Sequence, residues 1–430
     1  MKKLLTFLCL LGYVAVSAQT VANNPNWGIK FSGFLRNDMY YDSRQVVSAR
    51  PANQGELLLY PMNKLLDLNG KDINATPSFN ATAITSRLVG TIAGPDAFGA
   101  KTSGLFEAEF FGNANGNENV FRLRHAYAKL DWTKTQLAFG QYWHPLFVTE
   151  CFPGVLSFST GMPFQPFTRN PQVRLTQKLS KEINLILAAV SQTEAFVSPG
   201  SSSGIALGAS TGNQSFINDA VMPNLHAQLQ YKTASFVAGL AWDYKQLRPA
   251  LKVASAPGAT TYLATSENVA STSMEAYAKI VTKQFVLKGV FVNGQNLYDN
   301  LMIGGYLAYG TVPNITYKPI QVNSAWVEIA GTGKKVIPGF FLGYTKNNGS
   351  NNGSNAVASY ARGIVANGVS IDNIFRVAPR LEMVSGKFKF STEFEITRAG
   401  YGMANGTGKV TGIITSVTNT RILFATIYSF

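Results

Sequence analysis

The last ten residues, Arg421-Ile-Leu-Phe-Ala-Thr-Ile-Tyr-Ser-Phe430, decide the fold class. Counted back from Phe430, every second residue is Tyr, Thr, Phe and Ile, and a period of two places these side chains on one face of a β-strand. An apolar, aromatic strand with a final Phe is typical of the closing strand of an outer-membrane β-barrel. We expect Phe430 to be the residue that the barrel-assembly machinery recognises.

The first residues have the pattern of a secretory signal peptide. Lys2 and Lys3 are followed by the apolar run 4–16 and by the small-residue cleavage site Val16-Ser17-Ala18. We therefore expect three segments: a signal peptide at residues 1–18, a short N-terminal segment at residues 19–27, and a β-barrel at residues 28–430.

Composition narrows the class of protein further. Hydrophobic residues make up 46% of the chain and charged residues 14%, yet no segment after the signal peptide approaches the ~18 consecutive apolar residues of a spanning helix. Cys151 is the only cysteine left after cleavage, which excludes a disulfide framework. The formal net charge is +14, and a secreted destination makes anionic solutes or an acidic membrane surface better partners than nucleic acid.

Segments of about ten residues with period-two alternation recur along the chain. Near the C-terminus, for example, Phe388, Phe390 and Phe394 alternate with Lys389 and Glu393. An even set of sixteen such segments predicts an all-β fold, a transmembrane antiparallel β-barrel with long extracellular loops. Residues 301–321 fit the pattern least well. The sixteen segments are 28–42, 82–93, 103–113, 119–131, 134–142, 171–178, 183–192, 223–232, 234–245, 272–282, 284–293, 322–331, 335–346, 372–385, 387–398 and 418–430.

The connections between these segments alternate between short and long, as in bacterial barrels. The long connection 143–170 is unusual because it is aromatic and contains four prolines. We expect it to fold inward and narrow the pore as a constriction loop, with His144, Glu150 and Arg169 as polar groups. Alternatively, it covers the mouth of the barrel or contacts a neighbouring subunit.

A barrel of sixteen strands leaves a water-filled lumen, so its polar faces become the channel wall. An excess of Arg and Lys in a pore favours anions, and a charge facing the lipid would cost about 2–4 kcal/mol at the midplane. Alternatively, the arginines pair with nearby acids and only solvate the wall. By alternation, the basic wall residues are Lys30, Arg36, Arg87, Arg122, Arg124, Arg174, Lys178, Lys279, Arg376 and Arg380, and the opposing acids are Asp38, Glu107 and Glu109.

Five runs of sequence in the first six strands share the pattern of one family. The runs are 33–44, 86–88, 121–130, 137–143 and 170–176. They resemble the DcaP-like outer-membrane porins. The resemblance implies a sixteen-stranded, trimeric porin that passes small anions such as dicarboxylates. It also implies that Arg36, Arg87, Arg122, Arg124 and Arg174 line the pore. By alternation, His125 falls on the lipid side, which would fit a subunit interface.

Two other classes of function stay open on the sequence alone. An outer-membrane enzyme of the lipase or protease type would need a Ser/His or Asp/His group, and the chain contains only three His. A structural or adhesive barrel would act through its loops. We favour a porin with no catalytic residue, located in the outer membrane of a Gram-negative bacterium, in contact with lipid and lipopolysaccharide.

Weaker motifs do not change this interpretation. Gly208-Ala-Ser-Thr-Gly212 matches the G-x-S-x-G nucleophile pattern but lies in a Gly/Ser-rich loop. The spacing of the three His does not fit a zinc site. Asp67, Asn69 and Asp72 could share Ca²⁺, although an ordinary polar loop explains them better. We therefore expect no metal and no cofactor.

Overall fold

The computed structural model describes residues 27–49, 55–112, 116–192 and 215–430. The signal peptide, residues 19–26 and the Gly208–Gly212 motif lie outside these ranges. The described residues form 23 β-strands and three short helical segments, Ile73–Ala75, Ser215–Asn218 and Tyr298–Asn300. The strands are β1 (Gly28–Asp42), β2 (Val46–Ser48), β3 (Leu58–Pro61), β4 (Ser78–Thr82), β5 (Arg87–Ala93), β6 (Lys101–Glu109), β7 (Arg122–Asp131), β8 (Thr135–Trp143), β9 (Arg169–Lys178), β10 (Ile183–Val190), β11 (Asn224–Lys232), β12 (Phe236–Leu247), β13 (Lys252–Ala254), β14 (Tyr262–Ala264), β15 (Val269–Val281), β16 (Phe285–Gln295), β17 (Gly304–Thr311), β18 (Asn314–Gly331), β19 (Val336–Ser350), β20 (Ala358–Arg362), β21 (Val369–Ser385), β22 (Phe388–Met403) and β23 (Thr415–Ser429).

Sixteen wall strands close into an antiparallel barrel. β1 pairs with β23, from Phe34 opposite Ser429 to Asp42 opposite Arg421, and this pairing closes the ring. β4 and β5 both pair with β1, so together they form one wall strand that is interrupted at residues 83–86. The sixteen-stranded antiparallel barrel predicted from the sequence is therefore confirmed. The wall order is β1, β4/β5, β6, β7, β8, β9, β10, β11, β12, β15, β16, β18, β19, β21, β22 and β23.

The observed strand boundaries differ most from the predicted ones where a strand extends beyond its predicted segment. Residues 301–321, the weakest part of the sequence pattern, form β17 and the first part of β18. β17 pairs with both β18 and β20, which makes a small three-stranded sheet outside the sixteen-stranded ring. Alternation could not reveal β17, because residues 304–309 are buried on both faces of the strand.

The two faces of the wall differ in polarity. On β22, Phe388, Phe390 and Phe394 are 42–50% exposed on the outer face, whereas Glu393 and Glu395 are at most 2% exposed in the lumen. An apolar outer face and complete strand pairing are what a bilayer requires, since it offers no water to backbone groups. Among the described residues, no helix combines the length and apolar character needed to cross a membrane.

The short turns lie at one end of the barrel and the long loops at the other. The turn between β21 and β22 contains only residues 386–387, and Gly386 adopts a φ of +57°, which favours glycine. Because short turns are periplasmic in bacterial barrels, we refer to this end as the periplasmic end. Two of the long loops at the opposite end reach into the lumen. They are L1 (residues 43–77, between β1 and β4) and L3 (residues 144–168, between β8 and β9).

A hydrophobic core fills the middle of the barrel. It combines Leu57 and Leu59 of L1 with Phe164 of L3, and these pack against Trp326 and Phe341 of the wall. All five side chains are at most 1% exposed. The lumen is therefore occupied by two inward-folded loops, and any route for solutes lies beside them.

A β-bulge in β7 changes which of its side chains point into the lumen. The pairing between β6 and β7 shifts between Glu107 and Ala108, which leaves Arg124 as the extra residue. Alternation across this point had placed His125 on the lipid side. Instead, its ring is 4% exposed, lies 3.7 Å from Glu107 Oε1, and packs on Tyr142. The lipid-side position was wrong, and His125 gives no support for a subunit interface.

Candidate functional site

L3 crosses the whole width of the lumen. The Gly154 amide donates a hydrogen bond to Glu328 Oε2 at 2.8 Å. The amides of Leu156 and Ser157 donate to the two oxygens of Glu393 at 2.7 and 3.0 Å. Since Glu328 and Glu393 lie on β18 and β22, the loop is held against the wall opposite its own strands. That it narrows a channel stays a prediction.

Two of the predicted wall arginines fasten the inward loops. Arg36 donates to the carbonyl oxygen of Leu156 at 2.6 Å. Arg376 donates to Met162 O of L3 at 2.6 Å and to Leu59 O of L1 at 3.0 Å. Each guanidinium also has an acidic neighbour: Arg36 pairs with Asp38 at 2.8 Å, and Arg376 pairs with Glu395 at 3.1 Å.

Arg87, Arg122 and Arg124 converge on Glu107 and Glu109, and we call these five residues the arginine cluster. Arg122 and Arg124 lie 2.6 and 2.7 Å from Glu109 Oε1, and Arg87 lies 3.3 Å from its other oxygen. Arg124 also pairs with Glu107 at 2.6 Å. Glu109 has no exposed surface. Charge-assisted bonds of this kind hold the arginines against the wall.

The remaining basic residues on the wall have varied surroundings. Arg380 pairs with Glu328 and lies 3.1 Å from Glu382. Lys279 is half-buried on the lumen face of β15, and Lys30 is exposed near the periplasmic end of β1. The roles of all these residues in permeation stay predictions.

Arg169 and His144 lie at the two ends of L3. The Arg169 guanidinium is 1% exposed and stacks on the rings of Trp143 and Phe167, with centroids 4.9 and 5.6 Å away. His144 has no exposed surface, and burial lowers its pKa to about 4 even though Asp243 lies nearby. The His144 ring is therefore neutral at pH 7.

A cavity of about 300 Å³ opens at the periplasmic ends of β7 to β11, and we call it the vestibule. Residues 145–150 of L3 bound it on the inner side. Four basic side chains line the vestibule, compared with two carboxylates. The basic residues are Lys129, Arg174, Lys178 and Lys232, and the acids are Asp131 and Glu150.

Arg174 differs from the other predicted wall arginines because it has no acidic partner. Its guanidinium donates to Gln172 Oε1 at 3.0 Å and to the carbonyl of Trp143 at 2.8 Å, and it lies over the ring of Tyr142. In the described part of the chain, no carboxylate lies within 4.0 Å of it. The guanidinium charge is therefore positioned by neutral groups and borders the open volume of the vestibule.

The other vestibule charges are only partly matched. Lys232 pairs with Glu150 of L3 at 3.3 Å, but the two side chains are 47% and 34% exposed, so solvent screens the contact. Lys129 lies 5.0 Å from the ring of Tyr127, and Lys178 reaches only the carbonyl of Thr133 at 3.5 Å.

Sequence patterning missed two of the four basic residues of the vestibule. Counted by alternation from Arg122 and Arg124, Lys129 would face the lipid, and only the bulge in β7 brings it into the lumen. Lys232 lay on the recognised polar face of its strand but was not selected as a wall residue. A bulge leaves no mark in hydrophobic periodicity, so Lys129 could not have been found that way.

The carboxylates of the first loop serve local structure. Asp67 Oδ1 accepts hydrogen bonds from the amides of Asn69 and Lys71 at 2.9 and 2.8 Å. Asp72 accepts from the Leu65 amide at 3.0 Å. These bonds close tight turns. Across the described ranges, no group of three His, Cys, Asp or Glu side chains could hold a metal ion.

Comparison with solved structures identifies the architecture. The DcaP channel of Acinetobacter baumannii superimposes with a TM-score of 0.63 at 16% identity, covering 95% of this chain and 99% of that chain. An anion-selective porin from Comamonas acidovorans gives a TM-score of 0.54 at 10% identity, covering 94% of this chain and 100% of that one. The OmpT outer-membrane protein of Vibrio cholerae gives 0.53 at 11% identity, covering 96% and 100%.

The fold is that of an outer-membrane porin. The resemblance to DcaP-like porins in the first strands is confirmed at the level of the fold. The porin fold also agrees with the outer-membrane location predicted from the sequence. Neither a protein-family model nor a curated protein matches the sequence.

Proposed function

We propose that the protein is an outer-membrane diffusion channel that prefers small anions. The vestibule carries the proposal, because Lys129, Arg174 and Lys178 have no carboxylate partner in the described residues and border its open volume. In a water-filled cavity with low-dielectric walls, unmatched positive charge raises the local concentration of anions.

The geometry of Arg174 supports carboxylate-bearing solutes. Neutral acceptors fix its guanidinium through two hydrogen bonds, and the planar donor set is suited to a carboxylate. Lys129 lies on the same lumen face, in register with Ala138, which itself lies opposite Arg174. Two cations of this kind separated by one strand suit a solute with two carboxylates, so we retain dicarboxylate-like anions as the preferred class.

We also infer that the protein is not an enzyme. The alternative, a lipase or protease barrel, would need a His ring that activates a nucleophile. In the described ranges, none of the rings of His125, His144 and His226 is hydrogen-bonded to a Ser, Thr or Cys side chain. A structural or adhesive role would act through the loops, and no observation favours it.

The barrel exterior supports the proposed surroundings. Its aromatic and apolar side chains would contact outer-membrane lipid, with lipopolysaccharide around the long loops. Phe430 pairs with Gly33 through its backbone and is 46% exposed, which leaves it accessible to the assembly machinery before closure. A homotrimer is proposed because the V. cholerae protein has been solved in a trimer form. We propose no nucleic-acid partner.

Reversal potentials in a planar bilayer test the proposal. With a KCl gradient across the membrane, we expect a conducting channel whose reversal potential has the sign of chloride preference. Preference for potassium would contradict the role of the vestibule charges. If the correctly folded barrel does not conduct, the proposed diffusion function is wrong.

A further inference from the structure

A second polar cluster lies beside the vestibule, under the start of L3. His226 on β11 and Asp243 on β12 lie opposite each other in register. Asp243 Oδ2 is 3.4 Å from His226 Nδ1 and 3.7 Å from His144 Nε2. His144 accepts a hydrogen bond from the Leu146 amide on its other nitrogen, so Nε2 points toward Asp243. All three polar side chains are at most 5% exposed.

Several polar atoms of this cluster are buried and make only the His–Asp contacts at 3.4 and 3.7 Å, which are too long or poorly aligned for good hydrogen bonds. Within the described residues, His144 Nε2, His226 Nδ1 and Asp243 Oδ2 make no hydrogen bond. Both carboxylate oxygens of Glu275 and the hydroxyl of Ser271, on the adjoining strand β15, are also unpaired. Isolated buried polar atoms are costly and normally have a partner, so a group of them from four elements indicates a hydrated space.

This cluster adjoins the vestibule. Gln228 and Arg174 line the vestibule wall. Gln228 Oε1 lies 3.3 Å from His226 Nε2, and Arg174 donates to the carbonyl of Trp143, the residue before His144. The cluster therefore lies next to the vestibule, on its extracellular side. On β11, His226 is two residues farther from the periplasmic end than Gln228.

Two wall strands farther along the barrel, on β18, the lumen face is covered by L3. Ser324 on β18 donates to the carbonyl of Phe164 at 3.1 Å, and Trp326 donates its indole N–H to Gln165 at 2.6 Å. These wall groups are satisfied by the loop itself. Their space is occupied by aromatic packing between Phe164 and Phe341.

We propose that the space among His144, His226, Asp243 and Glu275, which we call the polar passage, is the route by which solutes continue from the vestibule toward the outside. The proposal rests on the proposed diffusion function. His144, at the first position of L3, closes the polar passage, and displacement of this end of the loop opens it. Arg36 and Arg376, which donate to the carbonyl oxygens of Leu156 and Met162, hold L3 in place on the other side of the lumen.

Cysteine accessibility tests this route. The background is Cys151→Ser, because Cys151 is the only cysteine of the mature chain and its thiol, with a pKa raised to about 11 by burial, donates to Ala278 O. Ser273→Cys places a thiol in the polar passage, since Ser273 lies opposite Asp243. Ser324→Cys is the matched control, a buried lumen-facing serine covered by Phe164.

An anionic methanethiosulfonate reagent is added to the folded channels, and both current and thiol mass are measured. We expect Ser273→Cys to be modified and to lose conductance by roughly twofold or more, because a sulfonate-bearing group narrows the route. The background and Ser324→Cys should keep their conductance. Block of Ser324→Cys without block of Ser273→Cys would place the route along β18 and overturn the proposal.

The same measurements separate the two hypotheses. Modification of Ser273→Cys with unchanged current would overturn the polar passage as the solute route while leaving the diffusion function intact. Absence of current in the unmodified background would overturn both. As a second variant, Asp243→Asn removes a negative charge from the route and should increase the chloride-to-potassium permeability ratio. An unchanged ratio would argue against solutes passing Asp243.

Discussion

Two basic regions of the lumen, the arginine cluster and the vestibule, use their charges in opposite ways. In the arginine cluster, every guanidinium lies within 3.3 Å of Glu109, which has no exposed surface. In the vestibule, the Arg174 guanidinium is held by an amide oxygen and a backbone carbonyl, with open volume beside it. Both regions carry more basic than acidic side chains, but in the arginine cluster each guanidinium pairs directly with a carboxylate, whereas Arg174 of the vestibule has no such partner among the described residues.

On the proposed function, the comparison predicts that charge availability, and not charge count, decides selectivity. A buried arginine with two carboxylate neighbours contributes little net potential to a passing ion, since the fields of opposite charges largely cancel. An arginine positioned by neutral acceptors keeps its full charge. On the proposed function, the arginine cluster therefore stabilises the wall, whereas the vestibule attracts the solute.

The largest expected effect comes from breaking the arginine cluster at its centre. Glu109→Gln removes the carboxylate that Arg87, Arg122 and Arg124 share, and leaves three positive charges with Glu107 as the remaining acid of the cluster. Loss of one partner from a buried ion pair typically costs about 3–5 kcal/mol. We expect the free energy of unfolding to fall by that amount, measured by urea-induced unfolding in lipid vesicles with Trp fluorescence as the readout.

Glu150→Gln provides the matched control in the vestibule. Its ion pair with Lys232 is half-exposed, and such pairs contribute at most about 1 kcal/mol. If the two variants lose equal stability, the distinction between a structural cluster and an available vestibule charge is wrong.

The second prediction concerns selectivity. Arg174→Gln removes one unmatched charge from the vestibule wall, and in a water-filled space a unit charge about 4 Å away changes an ion's energy by about 1 kcal/mol. We therefore expect the chloride-to-potassium permeability ratio to fall by up to about fivefold in bilayer recordings, with little change in stability.

Arg122→Gln gives the opposite pattern in the same recordings. Its charge is compensated by Glu109, so its loss should alter stability more than selectivity. A larger selectivity change in Arg122→Gln than in Arg174→Gln would return the selective role to the arginine cluster, as the alternation of the sequence first suggested.

The sequence predicted the barrel because alternation is a local property. The aromatic face of β23 and the period-two pattern of each wall strand follow from one apolar and one polar surface, and both are readable without knowledge of distant contacts. The strand number and the membrane-facing surface follow from the same pattern. The boundary errors occur at the interrupted strand β4/β5 and around β17, where turns and loop packing replace alternation.

The candidate site was less predictable because it depends on long-range contacts. Nothing near Arg174 in the sequence shows that it lacks an acidic partner, whereas Arg124 meets Glu109 across a neighbouring strand. Lys129 points into the lumen only because of a single bulge in β7. The polar passage joins a loop residue, His144, to Asp243 about one hundred positions later. Such pairings appear only when the barrel is closed.

The smallest expected effect is a change of stability with pH. It should involve L1 and leave the selectivity of the vestibule unchanged. Glu56 of L1 is 3% exposed on the side of the lumen opposite the vestibule. Burial, together with the nearby Asp38 carboxylate, raises the pKa of Glu56 to about 7 from its ordinary value of 4.5. Arg36, Arg421 and Tyr40 face it as well and oppose part of this shift.

The folded state therefore holds the Glu56 proton between pH 4.5 and about 7, where the unfolded chain has lost it. Stability decreases as pH rises through this window, and between pH 6 and 8 the contribution of Glu56 should fall by about 1 kcal/mol. Glu56→Gln stays neutral at every pH. Subtracting its free energy of unfolding, from urea titrations at each pH, from that of the parent isolates the contribution of Glu56.

The permeability ratio, which we attribute to the vestibule, should not follow this titration. A parallel change in stability and selectivity would show that L1 and the vestibule are coupled, and the two regions would have to be treated as one.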